Sequence, residues 1–331
     1  LEIFDPISFQ SQKKIITQFR PDLCHLHNLH GGPSLSSISA SSKSNVPSLL
    51  HIHDYWLLCA GCQLFQKGKA CELHCQTCSS NWWGIRRSLI KKTIQKVERV
   101  VVASQYVKDR FVESGLFQNE LIEILPYFVD SKRFSHDLAT PDSFYPRYKL
   151  PSDKLIILSM SALTKAKGLD GLVSAFSRVG EENAVLVLAG DGPERDALNL
   201  QAKKSGIEKQ VIFTGPIPPE DISHIYCAAD IVCLPSIWPE PFGLVALEAM
   251  ASEKPLIASD IGGIPEVVGE SQRLVPAADE VSLADALSEF LTSKKLRKKI
   301  GVKARKRAKE SFSPKNHLLK LTEIYTGLAS N

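Results

Sequence analysis

From Lys154 onward, short runs of β-branched and other apolar residues alternate with segments whose apolar residues recur at helical spacing. Five runs predict strands: LIILSM, AVLVLAG, VIFTG, DIVCLPS and PLIAS. The segments between them predict helices: GLDGLVSAFSRV, PERDALNLQAKKSG, PPEDISHIYCAA and FGLVALEAMAS. Such alternation favours a parallel sheet, because each helix carries the chain back to the same end of the sheet. This half is therefore expected to form a doubly wound α/β domain with helices on both faces.

The first part of the chain repeats this alternation less completely. Four strands are predicted by DLCHLHN, SLLHIHD, RVVVAS and IEILP, with helices near residues 34–42, 83–97 and 105–114. With 331 residues, the chain is long enough for two domains with separate cores. We predict an N-terminal domain over 1–140 and a C-terminal domain over 150–310. The Pro-, Ser- and Asp-rich stretch SHDLATPDSFYPRYKLPSD joins them, and one arrangement for the helix in 311–331 is packing back on the N-terminal domain.

Composition limits the class of protein. The chain is 44% hydrophobic and 23% charged, which is typical of a soluble globular protein. No window approaches twenty apolar residues, and LEIFDPISFQ lacks the basic start and apolar core of a signal peptide. We expect a cytoplasmic protein. The chain begins close to a predicted helix and without Met, so we also expect N-terminal strands to be missing from the first domain.

Positive charge is concentrated near the C-terminus. Between Lys294 and Lys309 lie ten Lys or Arg residues and no acid. Apolar residues at four-residue spacing define one side of a helix: Leu296, Ile300, Ala304, Ala308 and Phe312. One interpretation is a solvated helix packed by this narrow stripe; the other is attraction to an anionic membrane surface, with the protein peripheral at its inner face. Nucleic acid is disfavoured as a partner, because neither a binding motif nor interleaved aromatic residues accompany the basic run.

Glycines follow two of the predicted strands, where ligands of open parallel sheets bind. Gly190 and Gly192 follow AVLVLAG, and Gly262 and Gly263 follow PLIAS. Glycine allows tight turns and lets backbone approach a ligand closely. Each turn alone also fits a purely structural role. Together they indicate a phosphate-bearing ligand.

The stretch SIWPEPFGLVALEAMAS places a carboxylate near the apolar side of a predicted helix. Glu248 lies four residues after Leu244 and one after Leu247. Because burial of an unpartnered carboxylate is costly, Glu248 needs donors, and two vicinal sugar hydroxyls would satisfy it. Glu240, in the turn before the helix, is placed to bind a second sugar ring. The alternative is that Glu248 bonds a nearby Arg or Lys and that Glu240 only neighbours the helix dipole.

Between the two glutamates lies the predicted start of that helix. The N–H groups of Phe242, Gly243 and Leu244 have no partner within the helix, and the positive end of the helix attracts an anion. A carboxylate, a helix start and a second carboxylate match a sugar, a phosphate and a second sugar.

The segment PSIWPEPFGLVALEAMASEKPLIASDIGGIPEVV resembles the donor-site signature of the retaining family 4 glycosyltransferases (glycosyl transferases group 1) of the GT-B fold, in which seven residues separate two glutamates. Other segments follow in the order that this family shows: RPDLCHLHN, LLHIHDYW, VVASQYVKDRF, ILPYFVDSKRF, KGLDGLVSAF, LAGDGPER and FTGPI. The resemblance thus covers nearly the whole chain. It implies two Rossmann-like, doubly wound domains facing a cleft, the N-terminal one incomplete.

The resemblance also implies roles for individual residues. Glu248 would hold the ribose hydroxyls of a nucleotide diphosphate sugar, Glu240 would contact the transferred sugar, and Lys167 would contact the diphosphate. The Phe242–Leu244 backbone would support the donor phosphate and sugar, and Gly215 to Ile217 would lie near the base.

His53 would lie across the cleft near the sugar. A retaining front-face transfer is implied, with no cofactor and no divalent metal, because cationic side chains and helix starts stabilise the departing diphosphate.

The chain departs from the family pattern at three places. A Gly-Arg-Leu turn normally supplies an Arg beside the diphosphate, but residues 161–163 read Ser-Ala-Leu, so Ala162 replaces the cation. Lys165 is the candidate replacement, although it lacks the planar fork of Arg. The family's Pro-Asn-Gly-type turn reads Pro-Tyr-Phe at 126–128. The N-terminal strand with its Gly-rich acceptor-side loop is absent.

A cysteine-rich insertion spans residues 59–78. In a reducing compartment, its C-x-x-C pairs favour a structural zinc site formed by Cys59, Cys62, Cys75 and Cys78 over disulfides. An iron–sulfur site and free or disulfide-linked thiols are the alternatives. The insertion is followed by NWWGIRRSLIKK, an aromatic and cationic helix that suits either a membrane interface or a packed Trp pair with a solvated basic face.

The sequence therefore predicts a retaining, metal-independent hexosyltransferase. It would move a sugar from a nucleotide diphosphate sugar to a glycan or lipid-linked acceptor in cell-surface polysaccharide or glycolipid biosynthesis. The main alternative, motivated by Ala162 and the missing N-terminal loop, is a catalytically inactive donor-binding or scaffolding protein. A metal-dependent interaction module built on the cysteine insertion is a third hypothesis.

Overall fold

The computed structural model describes residues 4–30, 34–59, 61–71, 81–138 and 140–329. The chain forms two compact units, Leu1–Pro126 with Lys315–Asn331, and Tyr127–Pro314. The divisions fall between Pro126 and Tyr127 and between Pro314 and Lys315, whereas the sequence predicted the boundary in the stretch 135–153.

The first unit contains a parallel sheet with helices. Its elements in chain order are α1 (Pro6–Phe19), β1 (Cys24–His27), α2 (Ser36–Lys43), β2 (Ser48–Ile52), β3 (Phe65–Gln66), β4 (Lys69–Ala70), α3 (Asn81–Ile94), β5 (Arg99–Val102), α4 (Gln105–Glu113) and β6 (Ile122–Ile124). The sheet has the order β1-β2-β5-β6, and all its strands are parallel. Each of these four strands was predicted from the sequence. Strands β3 and β4 form a separate antiparallel hairpin in the cysteine insertion.

The last helix of the chain, Pro314–Ala329, packs on the sheet of the first unit. Leu328 is buried in a cluster with Leu49, Val101 and Leu125, and residues 321, 324 and 325 pack against this cluster. Because this contact is apolar, it supplies the core on that face of the sheet.

The second unit is a doubly wound domain. Its elements are α5 (Phe144–Arg147), β7 (Leu155–Met160), α6 (Leu169–Val179), β8 (Ala184–Ala189), α7 (Arg195–Lys204), β9 (Val211–Gly215), α8 (Ile222–Ala228), β10 (Ile231–Leu234), α9 (Leu244–Ala251), β11 (Leu256–Asp260), α10 (Ile264–Val268), β12 (Arg273–Pro276), α11 (Glu280–Thr292) and α12 (Lys294–Ser311). The order β12-β11-β10-β7-β8-β9 is parallel throughout. The sequence predicted β7, β8, β9, β10 and β11 but not β12.

The strand order decides where a ligand is expected. The chain adds β8 and β9 on one side of β7 and then returns to add β10, β11 and β12 on the other side. The order reverses between β7 and β10, and such a reversal opens a crevice beyond the carboxyl ends of the two strands. The loops that follow β7 and β10 are therefore the positions to inspect.

The basic helix α12 is packed by a narrow stripe, as the sequence predicted. Ala304 and Ala308 are fully buried, Phe312 just beyond the helix is buried, and Leu296 and Ile300 lie against the core. Four of its cations also donate hydrogen bonds to backbone carbonyls of neighbouring elements: Arg297, Lys303, Arg305 and Arg307. Part of this charge therefore has a structural role. Within the described ranges, no helix has both the length and the apolar content needed to cross a membrane.

Candidate functional site

The loops after β7 and β10 are in contact at the point where the strand order reverses. The 3₁₀ turn Lys165–Lys167 ends at Gly168, whose φ is +63°. A Cβ at Gly168 would lie 2.1 Å from the carbonyl oxygen of Pro235. The Ile237 N–H donates to the Ala166 carbonyl over 2.9 Å. Only glycine allows this approach, which brings Lys167 beside the loop that carries Glu240.

Glu240 is buried and accepts three hydrogen bonds at one carboxylate oxygen. Its Oε1 lies 2.6 Å from Lys167 Nζ, 2.7 Å from Ser236 Oγ and 3.1 Å from Trp238 Nε1. The Lys167 ammonium also lies 5.1 Å from the centroid of the Trp238 ring. The structure thus brings together two of the predicted catalytic residues. Ser236 and Trp238 were not predicted as their partners.

Gly262 and Gly263 hold the backbone of Glu240. A Cβ at Gly262, where φ is +63°, would lie 2.4 Å from the Glu240 carbonyl oxygen and 2.6 Å from its nitrogen. The Gly263 N–H donates to the same carbonyl over 2.7 Å. The turn after β11 therefore fixes the main chain that carries the Glu240 carboxylate.

Glu248 lies near the middle of α9 and is half-buried. Its Oε2 accepts a hydrogen bond of 2.8 Å from the hydroxyl of Tyr226, a fully buried side chain on α8. Burial raises the pKa of Glu248, and the Tyr226 hydrogen bond and the charge of Arg133 oppose that shift. The principal described partner of the carboxylate is therefore a neutral hydroxyl, not the direct salt bridge of the alternative interpretation.

Helix α9 begins directly after Gly243, whose left-handed backbone (φ 101°) forms the turn. The Phe242 side chain is buried against Tyr127 and Phe312. Leu244 is 48% exposed. What this segment offers a ligand is thus the start of the helix, not the aromatic ring of Phe242.

Other predicted donor residues have identified positions. Lys165 pairs with Asp170 over 2.7 Å, and this hydrogen bond raises the Lys165 pKa. Gly215 ends β9 with φ +74°, and its carbonyl accepts from the Gly190 N–H over 2.9 Å. Ile217, two residues further on, is half-buried. The turns after β8 and β9 are therefore joined.

His53 belongs to the first unit and is part of a histidine cluster. Its Nε2 lies 2.9 Å from Nδ1 of His27. Burial lowers the pKa of His53, as does the charge of His27, while Asp54 opposes the shift. The ring of His51 stacks on His53 with centroids 4.2 Å apart. The alternating histidines of CHLH and HIHD were the sequence signal for this cluster.

Two of the four predicted zinc ligands lie within the described residues. Cys59 is buried and Cys62 is half-buried, and neither forms a disulfide there. The Cys62 N–H donates to the Cys59 carbonyl over 3.0 Å, so one tight turn carries both thiols. Cys75 and Cys78 lie outside the described residues. The pair fits a C-x-x-C half-site, and the four-cysteine zinc site stays a prediction.

Solved structures share the fold. The chain is similar to a glycosyltransferase from Rickettsia africae with a TM-score of 0.79 at 22% identity, covering 99% of this chain and 83% of that one. It is also similar to Anabaena Alr3699/HepE in complex with UDP-glucose, with a TM-score of 0.77 at 20% identity, covering 98% and 84%. At these identities the likeness establishes the fold, which is GT-B, with parallel sheets of Rossmann-like type.

Family models match both parts of the chain. The model of glycosyl transferases group 1 matches residues 143–307, and that of glycosyltransferase family 4 matches residues 2–133. The chain therefore belongs to the family 4 glycosyltransferases, as the resemblance predicted.

Two curated relatives indicate the range of the family. A "GDP-mannose-dependent alpha-(1-6)-phosphatidylinositol monomannoside mannosyltransferase" of Mycolicibacterium smegmatis is 27% identical over 253 residues, covering 73% of this chain and 66% of the relative. An "N-acetyl-alpha-D-glucosaminyl L-malate synthase" of Bacillus anthracis is 31% identical over 211 residues, covering 62% and 54%. The chain thus spans between about half and two-thirds of the length of these relatives.

Proposed function

We propose that this protein is a retaining glycosyltransferase that moves a hexose from a nucleotide diphosphate sugar to a glycan or lipid-linked acceptor. The observation that carries the proposal is the largely buried Lys167–Glu240 pair where the strand order reverses, together with Glu248 near the middle of α9. Family membership supports the reaction class. The position of the pair supports a donor site, because doubly wound sheets bind nucleotides at this point.

Each group has a role in donor binding. The Glu248 carboxylate accepts hydrogen bonds from the two ribose hydroxyls, because an ionised carboxylate has acceptor positions beyond the one that Tyr226 occupies. The diphosphate lies against the start of α9 and the Lys167 ammonium, which supply positive charge. Glu240 contacts hydroxyls of the transferred sugar.

In the transfer step, the bond between the anomeric carbon and the diphosphate oxygen breaks. A new bond forms on the same face to the acceptor oxygen, whose proton passes to the departing diphosphate. The developing negative charge on the diphosphate is stabilised by Lys167 and the helix start, so the step calls for no divalent cation. The turn after β11 keeps the Glu240 backbone fixed while the charges change.

The names of relatives suggest candidate substrates. The mycobacterial relative is named for GDP-mannose and a phosphatidylinositol-linked acceptor, and the Anabaena structure holds UDP-glucose. We therefore expect the donor to be a hexose linked to GDP or UDP, and we expect lipid-linked molecules to be among the acceptors. Such an acceptor would bring the protein to the cytoplasmic face of a membrane.

The first experiment is a thermal-shift panel with UDP-, GDP- and ADP-sugars, since a ligand that binds only the native state raises the melting temperature. We expect a selective rise with one nucleotide, followed by product in which NMR shows the anomeric configuration of the donor. Binding without transfer or donor hydrolysis would support the alternative, a donor-binding scaffold. Two observations favour that alternative: Ala162 stands where the family has an Arg, and Lys165 is paired with Asp170. No rise with any donor would contradict both functions.

A further inference from the structure

Three histidines lie on neighbouring strands of the first unit, and a fourth, His53, directly follows one of them. His25 and His27 are two residues apart on β1, so their side chains point to the same face of the sheet. His27 is in register with His51 on β2, and His53 follows His51 by two residues. Parallel neighbours in register share a face, which brings the four rings together.

Three of these rings offer nitrogen atoms at close range. One nitrogen from each of His25, His27 and His51 lies within 4.8 Å of one nitrogen from each of the other two. The ring centroids are 4.0 Å apart for His25 and His27, 5.0 Å for His27 and His51, and 5.5 Å for His25 and His51. We propose that His25, His27 and His51 form a binding site for a divalent transition metal, Zn²⁺ foremost.

The hydrogen bonds of the cluster leave ligand atoms available. Nδ1 of His25 lies 2.6 Å from the Tyr325 hydroxyl, and Nδ1 of His27 lies 2.9 Å from Nε2 of His53. When each Nδ1–H donates to its partner, the Nε2 lone pair of each ring is directed elsewhere. Metal-ligating histidines commonly make this kind of second hydrogen bond, which fixes tautomer and ring orientation.

The environment of His25 Nε2 independently supports a metal site. This nitrogen is buried and has no hydrogen-bond partner among the described residues. A buried polar atom without a partner is costly, so this nitrogen is placed to act as a ligand atom. A bound cation removes that cost by taking the lone pair.

The cluster has the composition of an imidazole site with an open position. Three imidazoles and a water are a ligand set that Zn²⁺ accepts in tetrahedral geometry. With Zn–N bonds of about 2.0–2.1 Å, the ligand nitrogens of a tetrahedral site are about 3.3 Å apart. Side-chain rotations that bring the histidine nitrogens closer by about 1.5 Å or less would therefore form the site. His27 is exposed and gives an ion access from solvent.

Strands β1 and β2 hold the three ligands on a rigid part of the fold. The Tyr325 hydroxyl, on the helix Pro314–Ala329, lies at hydrogen-bond distance from His25. A bound ion would therefore stabilise the first unit, because it links both strands and, through Tyr325, that helix. The proposal does not depend on the proposed glycosyl transfer.

The test is zinc binding by the full chain, kept reduced with a phosphine, and measured by chelator competition and metal analysis. His27→Gln is the principal variant because the side chain is exposed, and His25→Gln is the second. His136→Gln, a histidine of the second unit that neighbours Asp137 and Glu253, is the matched control. The His30, Asp54 and Cys62 group and the other cysteines are present in every variant, so zinc that they hold cancels in the comparison.

We expect His27→Gln and His25→Gln to bind one equivalent of Zn²⁺ fewer than the wild type, or to bind that equivalent at least ~100-fold more weakly. His136→Gln keeps it. Tyr325→Phe retains the equivalent with about 10-fold weaker affinity, an effect that marks a partner of a metal ligand. A wild type that binds no zinc, or His27→Gln with unchanged stoichiometry and Kd, would overturn the proposal.

Discussion

Nζ of Lys167 lies 2.6 Å from Oε1 of Glu240, although the two residues are 73 positions apart in the sequence. The side chains are only 19% and 11% exposed, so the pair is shielded from solvent on most sides. Each charge offsets the desolvation cost of the other, because a single unpaired charge at this position would destabilise the folded protein.

The first prediction concerns this pair. We expect Lys167→Met to destabilise the protein by about 3 kcal/mol, because it leaves the Glu240 carboxylate buried without its cation. Glu240→Gln removes that charge, so the double variant should be more stable than the sum of the single changes predicts. Urea unfolding of the four proteins gives the coupling free energy, expected to be at least about 1 kcal/mol. Strictly additive costs would mean that solvent screens the two charges.

The second prediction compares two glycines with nearly the same backbone. Gly168 has φ 63° and ψ 26°, and Gly180 has φ 65° and ψ 27°. Among the described residues, no atom lies within 4 Å of a Cβ added at Gly180, whereas a Cβ added at Gly168 would lie 2.1 Å from the Pro235 oxygen. We expect Gly180→Ala to cost about 1–2 kcal/mol from the left-handed backbone, and Gly168→Ala to cost about 1–3 kcal/mol more from the clash.

Nucleotide affinity adds a readout to this comparison. Gly168→Ala should weaken binding because it moves Lys167 away from the loop after β10, while Gly180→Ala should leave binding unchanged. Equal effects of the two substitutions on stability and affinity would show that the close approach of the two loops has no role in forming the site.

Much of the fold followed from the sequence. The pattern of apolar residues was enough to predict nine of the ten strands of the two parallel sheets. Most of these strands are short apolar runs, such as RVVV and AVLVLA, while β1 and β6 include polar residues. Strand β12 was missed because RLVP is short and has one buried residue, as is common for a strand at the edge of a sheet. The hairpin β3–β4 was missed because two-residue strands leave no periodicity to detect.

The candidate site was predictable only in part. Glu248 was singled out because a carboxylate in an apolar stretch needs hydrogen-bond donors, and Glu240 because it lies in the turn before the same helix. The contacts of Ser236 and Trp238 with Glu240 depend on how the loop after β10 turns, and spacing alone does not encode that turn. The hydroxyl of Tyr226 reaches Glu248 from another helix, so its role required the packing of α8 against α9.

The third prediction uses the pH dependence of donor binding. Burial raises the pKa of Glu248, so this carboxylate becomes protonated at a higher pH than the carboxylate of an ordinary glutamate. We expect nucleotide affinity to fall as pH decreases through this raised pKa, because the protonated form is a poorer acceptor for the ribose hydroxyls. Titration of binding between neutral and mildly acid pH measures the midpoint.

Tyr226→Phe is the sharpest variant for this test. The Tyr226 hydrogen bond lowers the Glu248 pKa, so its removal should move the midpoint to higher pH. Glu248→Gln should bind about 10-fold or more weakly, as expected when a charged acceptor is lost, with no such pH dependence. A midpoint that is the same in the wild type and Tyr226→Phe would contradict the role of Glu248 in binding.

The last prediction restores a missing cation. Ala162 is exposed in the loop after β7, so a longer side chain fits there without displacing the core. We expect Ala162→Arg to strengthen nucleotide diphosphate binding by about 10-fold, since a guanidinium forms charge-assisted, bidentate hydrogen bonds with phosphate. Ala162→Gln, of similar length but uncharged, is the control and should give little gain.

Calorimetric titration with the nucleoside diphosphate and the nucleoside alone separates a phosphate contact from a general effect. A gain only for the diphosphate would place the phosphates beside the loop after β7, whereas no gain would mean that Lys165 or Lys167 already supplies the needed charge.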